Sequence, residues 1–316
     1  MTAPIFSVVI PLYNKQHFIS KCIESVLTQR FPSFEVIVID DGSQDNSEKI
    51  VKEIKDDRVR YFHQKNSGVS AARNKGIEEA SGEYIAFLDA DDWYEDDFLT
   101  VVYKSIQEHP DADAFTTGYF KHKNGTVTIS TLSVTQQQHH QSIVINDFYK
   151  SWANGAFFCA SSCVVRKEYF IKNQRYFPLK ESMGEDQEVW FHLAEHGCIV
   201  FTDAALSNYN MGVSNSLSFN SCLLDELPFI TRLKARVNSP GFGASIESAN
   251  RFIRKYDLER AANNAIRGSK KTAISLLSKH ILSKEFSKLK IISIVGILVP
   301  RKALLYVRKY LKRKVG

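Results

Sequence analysis

The sequence predicts an α/β protein built on a doubly wound sheet, and three observations carry that expectation. Short β-branched runs at 6–10 (FSVVI) and 35–39 (EVIVI) read as buried strands. Between them Ile19, Cys22, Ile23, Val26 and Leu27 recur at helical spacing, which makes a strand–helix–strand unit. The alternation then continues through RVRYF (58–62) to EYIAFLDADDWYEDD (83–97), an apolar run that breaks abruptly into acids. Repeated units of this kind favour a largely parallel sheet with helices on its faces, here over residues 1–118.

Each element follows from its own pattern. Gln16 to Gln29 is the first amphipathic helix, and the second strand ends in Asp40-Asp41-Gly42-Ser43. Ile50, Val51 and Ile54 place a helix after it. A turn at Asn66-Ser67-Gly68 leads from the third strand into a short helix that carries Arg73 and Gly76. Phe98, Val102 and Ile106 put another helix after the acid run, stopped near Pro110. A buried strand cannot carry several carboxylates inward, so these emerge where it leaves the sheet, the end at which open α/β sheets bind ligands. Asp89 and Asp91, separated by one residue, could there hold a hard divalent cation against a diphosphate. The plainer reading is an acid-rich helix start, favoured by the helix dipole. Glu95, Asp96 and Asp97 are assigned to that role, and Asp92 is left open.

The second half is less regular. TVTISTLSVT (126–135) suggests strand, and His139 and His140 in the polar tract 136–141 read as loop, since no other His or Cys cluster stands at ligand spacing. Asp147 to Ala153 is a short helix, FFCASSCVV (157–165) a buried segment, and Cys198 to Thr202 a strand followed by a Ser/Asn-rich loop at 207–220, either a lid or a polar connection. Gly184 marks a turn into a helix whose first turn holds Glu185 and Asp186. Such acids are either dipole partners or a general base, which a helix N-terminus would keep ionised near neutral pH.

Composition narrows the classes. A hydrophobic content of 44% and a charged content of 24% over 316 residues are those of a globular protein. Five cysteines without a Cys-x-x-Cys pair indicate neither a disulfide framework nor a zinc site. With no basic leader and no span-length apolar window, a cytoplasmic location is expected. The net charge of +6 hides an asymmetry. From Arg267 to Gly316 there are 14 Lys and Arg against one acid, Glu285, whereas the rest holds 27 basic and 34 acidic residues. In this tail Ile274, Leu277 and Ile281 are expected on one face, as are Leu304, Val307 and Leu311, with the apolar IISIVGILV (291–299) between them. Basic amphipathic helices suit an anionic membrane surface, here the inner face of the cell membrane. The bland alternative is a helical subdomain with its lysines in water. Sparse aromatic residues argue against nucleic acid.

Four stretches together resemble the family 2 glycosyltransferases, which have the GT-A fold: SVVIPLYNK (7–15), VIDDGSQDNS (38–47), NSGVSAARNKGIEEASGEYIAFLDADD (66–92) and GEDQEVWFHLAEHG (184–197). The resemblance covers about the first 220 residues. It implies a GT-A doubly wound mixed sheet with flanking helices and a basic C-terminal helical extension. The catalytic domain would be 1–220, with 1–118 as the nucleotide-sugar half and 119–220 as the acceptor half, and 221–316 the helical region. It implies that Pro11, Tyr13 and Asp41 line the nucleotide pocket, that Asp40 supports the turn, and that Arg73 approaches the base or phosphates. Asp89 would hold the ribose or a metal-bound water, and Asp91 would ligate Mn²⁺ or Mg²⁺. Asp186 would be the base for the acceptor hydroxyl, with Glu185 orienting the acceptor. The implied reaction is inverting transfer of a hexosyl or N-acetylhexosaminyl group from a nucleotide sugar, a UDP-sugar foremost, to a glycan or lipid-linked acceptor.

Two departures stand out. Tyr209-Asn210-Met211-Gly212-Val213-Ser214 lacks the histidine that often completes the family's metal site, which leaves a third protein ligand open. The Gln-x-x-Arg-Trp element of processive synthases is absent, which favours single addition or short chains. Competing readings are a non-catalytic sugar-nucleotide-binding protein and a sugar-nucleotide pyrophosphorylase. The second would need a Gly-rich loop after the first strand, and PLYNKQHF has no glycine.

Overall fold

The computed structural model describes residues 3–132, 141–174, 176–181, 183–212 and 223–300. His139 and His140, the loop positions 213–220, and Leu304, Val307 and Leu311 lie outside these. The chain divides into two compact units, Met1–Phe219 and Asn220–Gly316.

The first unit opens with β1 (Phe6–Leu12), α1 (Ile19–Leu27), β2 (Phe34–Asp40), α2 (Ser47–Glu53), β3 (Val59–His63), α3 (Val69–Glu79) and β4 (Tyr84–Phe87). β2 and β4 are buried along their whole length, as their unbroken apolar runs require. α1 turns Ile19, Cys22, Ile23 and Val26 inward. α3 lies flush on β1 because residue 76 is glycine: a Cβ there would stand 2.2 Å from Val9 Cγ1.

Then come β5 (Trp93–Tyr94), α4 (Phe98–Glu108), β6 (Ala114–Lys123), β7 (Thr126–Ser130), β8 (Ser142–Val144), α5 (Phe148–Ala153), β9 (Cys163–Arg166), α6 (Lys167–Asn173), α7 (Glu185–His196) and β10 (Ile199–Asn210). β6 and β7 form a hairpin turned by Asn124 and Gly125, both at positive φ (49° and 78°), which suits the strand twist. Only the end of the apolar run 157–165 is strand; a 3₁₀ turn at Ala160–Ser162 precedes β9. The loop expected from 207 begins later, since β10 continues to Asn210. Ser207 and Asn208 are buried there, and the Asn208 amide donates to Glu95 Oε1 at 2.7 Å.

Among the described residues one mixed sheet runs in the order β3-β2-β1-β4-β9-β6-β10-β5, with β7 on β6 and β8 on β10. The β3-β2-β1-β4 side is parallel, and β9 runs antiparallel between β4 and β6. An aromatic cluster of Phe148, Trp152, Phe157, Phe158 and Phe191 packs α5 onto α7 with ring centroids 5.1–6.3 Å apart.

The second unit contains α8 (Pro228–Arg236), α9 (Ile246–Arg267), α10 (Lys270–His280) and α11 (Ser287–Leu298). Ser245 and Ser269 cap α9 and α10 by accepting the Ser248 and Thr272 amides at 3.2 Å. The α10 face differs from the expected one: Ala273, Leu276 and Leu277 point inward, while Ile274 and Ile281 are exposed. Among the described residues no helix is long and apolar enough to cross a membrane.

Candidate active site

The strand order turns at β1, with β2 and β3 on one side and β4 and the later strands on the other. Crevices at the carboxyl ends of strands around such a point are where open α/β sheets take ligands. Tyr13 to Lys15 follow β1 here, Asp40 to Ser43 close β2, and Asp89 to Asp92 follow β4.

The first two loops are stitched together. The Asn14 amide donates to Ser43 Oγ at 3.0 Å, Asn14 Oδ1 accepts from the Gln44 amide at 2.8 Å, and the Lys15 amide donates to Ser47 Oγ at 2.9 Å. Asp40 is fully buried and accepts from the Ser43 amide and the Tyr61 hydroxyl, each at 2.8 Å. Asp41 accepts from Gln64 Nε2 and from the Ser67 and Gly68 amides, all at 2.8 Å, and so fastens the loop entering α3. Pro11 lies in β1 opposite Ile39 of β2, and Tyr13 is exposed beyond the strand end.

The acids after β4 divide into three environments. Asp91 receives the Lys15 ammonium at 2.5 Å. Burial and neighbouring Asp89 push the Asp91 carboxyl up, against the pull of Lys15. Asp92 is buried and accepts from Ser161 Oγ at 2.5 Å and the Asn210 amide at 2.8 Å, which ties the turn to the segments before β9 and at the end of β10. Its pKa is raised well above the usual range by burial and by Asp89 and Asp91. Asp89 holds Arg73 at 2.7 Å. Of the acids assigned to the next helix start, Asp97 precedes α4 but spends its carboxylate on Arg30 at 2.8 and 3.0 Å rather than on a cap.

Arg73 connects this group to α7. Its guanidinium is buried over the Phe177 ring, with one amine on Asp89 and the other on Glu185 Oε1 at 3.0 Å. Both of its ends are thus committed to protein carboxylates. Asp186, next in the chain, lies in electrostatic reach of Glu185, Arg73 and Asp89. It is deeply set among protein atoms but keeps partial access to solvent. A helix N-terminus was expected to keep Asp186 ionised. Instead burial and the Glu185 charge, opposed by Arg73, raise it to about 7.

The family model for glycosyl transferase family 2 matches residues 7–173, more than half of the chain. The chain belongs to glycosyl transferase family 2. Among related family members, it is 43% identical over 105 residues to glycosyltransferase GlyA of Streptococcus pneumoniae, covering 33% of this chain and 15% of GlyA. It is 29% identical over 198 residues to putative glycosyltransferase EpsH of Bacillus subtilis, covering 62% of this chain and 57% of EpsH. The chain therefore spans less than two thirds of either relative. Among solved structures, residues 1–349 of S. aureus TarS in complex with UDP-GlcNAc superpose with a TM-score of 0.69 at 19% identity, covering 96% of this chain and 91% of that one. That likeness places the family 2 chain in the GT-A fold.

Sequence patterns missed three members of this site. Lys15 stands inside a quoted motif, yet nothing local marks its ammonium for Asp91, 76 positions away. Ser161 and Asn210, which hold Asp92, carry no distinguishing pattern.

Proposed function

We infer that this chain transfers a sugar from a nucleoside-diphosphate sugar to an acceptor hydroxyl with inversion. The observation that carries the reading is the Arg73 bridge, which joins Asp89 after β4 to Glu185 of α7 and so sets Asp186 beside the β4 acids. In this assignment the crevice formed by Pro11, Tyr13 and the Asp41-fastened loop takes the nucleotide. Asp186 takes the proton of the acceptor hydroxyl, and the acceptor oxygen so released attacks the anomeric carbon as the bond to the diphosphate breaks. The electron pair leaves with the nucleoside diphosphate. A base whose pKa sits near the operating pH is suited to that work. Glu185, held by Arg73, orients the acceptor. The UDP-GlcNAc complex of TarS supports a UDP-sugar, hexose or N-acetylhexosamine, as donor. The acceptor class proposed is a glycan or a lipid-linked sugar.

A divalent cation, Mn²⁺ or Mg²⁺, fits one position. Asp91 already receives a cation, the Lys15 ammonium, at 2.5 Å. Among the described residues no group of three or more His, Cys, Asp and Glu converges as a ligand set. Asp91 would thus supply one carboxylate, with diphosphate oxygens and water completing the coordination, as such cations commonly bind. When bound, the cation would stabilise charge on the leaving diphosphate. Lys15 must release Asp91 for this.

Asp186→Asn tests the assignment. Transfer from UDP-GlcNAc, or whichever UDP-sugar of a panel the wild type uses, should fall about 10³-fold while donor binding holds. Since the base acts ionised, wild-type kcat/KM should rise with pH through about 7 and fall below it. Full activity in the variant would remove Asp186 from the chemistry, and donor binding without transfer by the wild type would favour a binding protein.

A further inference from the structure

Helix α11 leaves much of its apolar surface outside. Its sequence SKLKIISIVGIL buries Lys290, Ser293 and Gly296, and leaves Ile291, Ile294, Val295 and Leu298 at 60, 38, 45 and 75% exposure. Leu289, Ile292 and Ile297 are half-buried beside the inward residues, and the polar and small ones each satisfy a local requirement. Lys290 Nζ reaches the carbonyl oxygens of Ile281 and Ser283 and closes the turn after α10. The Ser293 hydroxyl donates to the Leu289 carbonyl at 2.8 Å. Gly296 approaches α9 so closely that a Cβ would stand 2.7 Å from Ala265 Cβ. Small residues make such close helix contacts possible. What remains outside follows the i, i+3, i+4, i+7 spacing of a continuous apolar stripe. Leu282, 95% exposed in the preceding turn, and the exposed Ile274 and Ile281 enlarge the apolar surface of this unit. Large apolar patches on a soluble surface mark docking sites.

Charge selects the occupant. Lys271, Lys279, Lys284 and Lys288 are exposed on α10, on α11 and in the turn between them. Glu285, the acid of this region, is taken by Arg251 and Arg254 at 2.7 and 3.1 Å. Arg254, Lys279 and His280 also line a cavity of about 320 Å³ at which Leu282 sits, so the apolar turn adjoins a basic recess. The sequence beyond, 301–316, adds seven basic residues and no acid. A second copy docking through this face would set two basic surfaces against each other, since a two-fold interface pairs a patch with itself. An anionic lipid surface matches both the apolar stripe and its lysines. At 12 residues α11 is too short to span a bilayer, but it suits the interfacial plane.

We propose that α11 is an in-plane docking helix for an anionic membrane, with Ile291, Ile294, Val295 and Leu298 entering the acyl boundary and the neighbouring lysines meeting lipid phosphates. The proposal is independent of the donor chemistry. Flotation of the full chain with phosphatidylcholine vesicles, with and without phosphatidylglycerol, tests it. The wild type should float with the anionic vesicles and be left behind by the neutral ones. Combined Ile291→Ser, Ile294→Ser and Leu298→Ser, all at exposed positions, should weaken that binding at least ~tenfold. UDP binding by the same variant should equal that of the wild type, which keeps a failed docking helix distinct from a failed donor site. Undiminished flotation of the variant would overturn the proposal. So would a wild-type dimer in sizing that the variant dissolves, because the face would then join copies of the chain.

Discussion

Asp91 and the Arg73-linked pair Asp89 and Glu185 stand at the same end of the sheet, yet they are neutralised by different kinds of cation. Asp91 holds Lys15, a flexible point charge whose side chain keeps 17% of its exposure. Asp89 and Glu185 hold the two amines of Arg73, a planar group only 4% exposed. A lysine can exchange its partner at modest cost, whereas a buried guanidinium bonded at both ends cannot move without letting go of two carboxylates. Asp186 has no ion pair of its own among the described residues and responds by holding its proton to about 7. One candidate site therefore contains an exchangeable charge, a fixed one and a proton acceptor. The division teaches that the number of acids says little about a site. What decides their roles is which cation each of them faces.

The largest effect is expected at the fixed charge. Arg73→Met should lower unfolding free energy by about 3 kcal/mol in urea titration, because it leaves Glu185 buried without its cation, while Asp89, 29% exposed, can turn to water. Stability within 1 kcal/mol of wild type, a margin set by ~ordinary surface substitutions, would mean that the bridge is not structural. The exchangeable end should respond in the opposite direction. Lys15→Met should bind Mn²⁺ in the presence of UDP ~tenfold more tightly in calorimetry, since the competing ammonium is gone. Equal affinities would show that Lys15 does not compete for Asp91. The smaller loss of stability is expected at Asp92. Ser161→Ala removes two hydrogen bonds, the one donated to Asp92 and the one accepted from the Asp89 amide, and should cost about 2 kcal/mol, read from the same denaturation curves.

The parallel side of the sheet was legible because its strands are contiguous apolar runs and its helices carry local periodicity, as in Val36 to Ile39 and in Ile19 to Val26. The acids were legible as types at the right strand ends. Their partners were not. Arg73 meets Glu185 across 112 positions and Lys15 meets Asp91 across 76, and no local pattern encodes such contacts. β10 was cut short for a related reason: Ser207 and Asn208 read as loop by composition, but strand pairing to Tyr94 and Tyr119 holds Ser207 and the Glu95 hydrogen bond holds Asn208. α11 shows a different limit. Its apolar run said nothing of which face turns inward: Lys290, Ser293 and Gly296 are buried, while Ile291, Ile294, Val295 and Leu298 stay exposed.

Gly76 has a reach beyond its own packing. It lies one helical turn after Arg73 on α3, and its missing methyl group lets that helix rest on Val9. Any larger residue would have to lift α3 from the sheet, and the guanidinium would ride outward on it. A displacement of ~1 Å at a catalytic arrangement can cost about 10²-fold in rate. The gap between the two groups of acids is thus gauged from beneath, by a contact between backbone and valine that takes no part in the chemistry. Mechanical tolerance at this site is set at the floor of the helix.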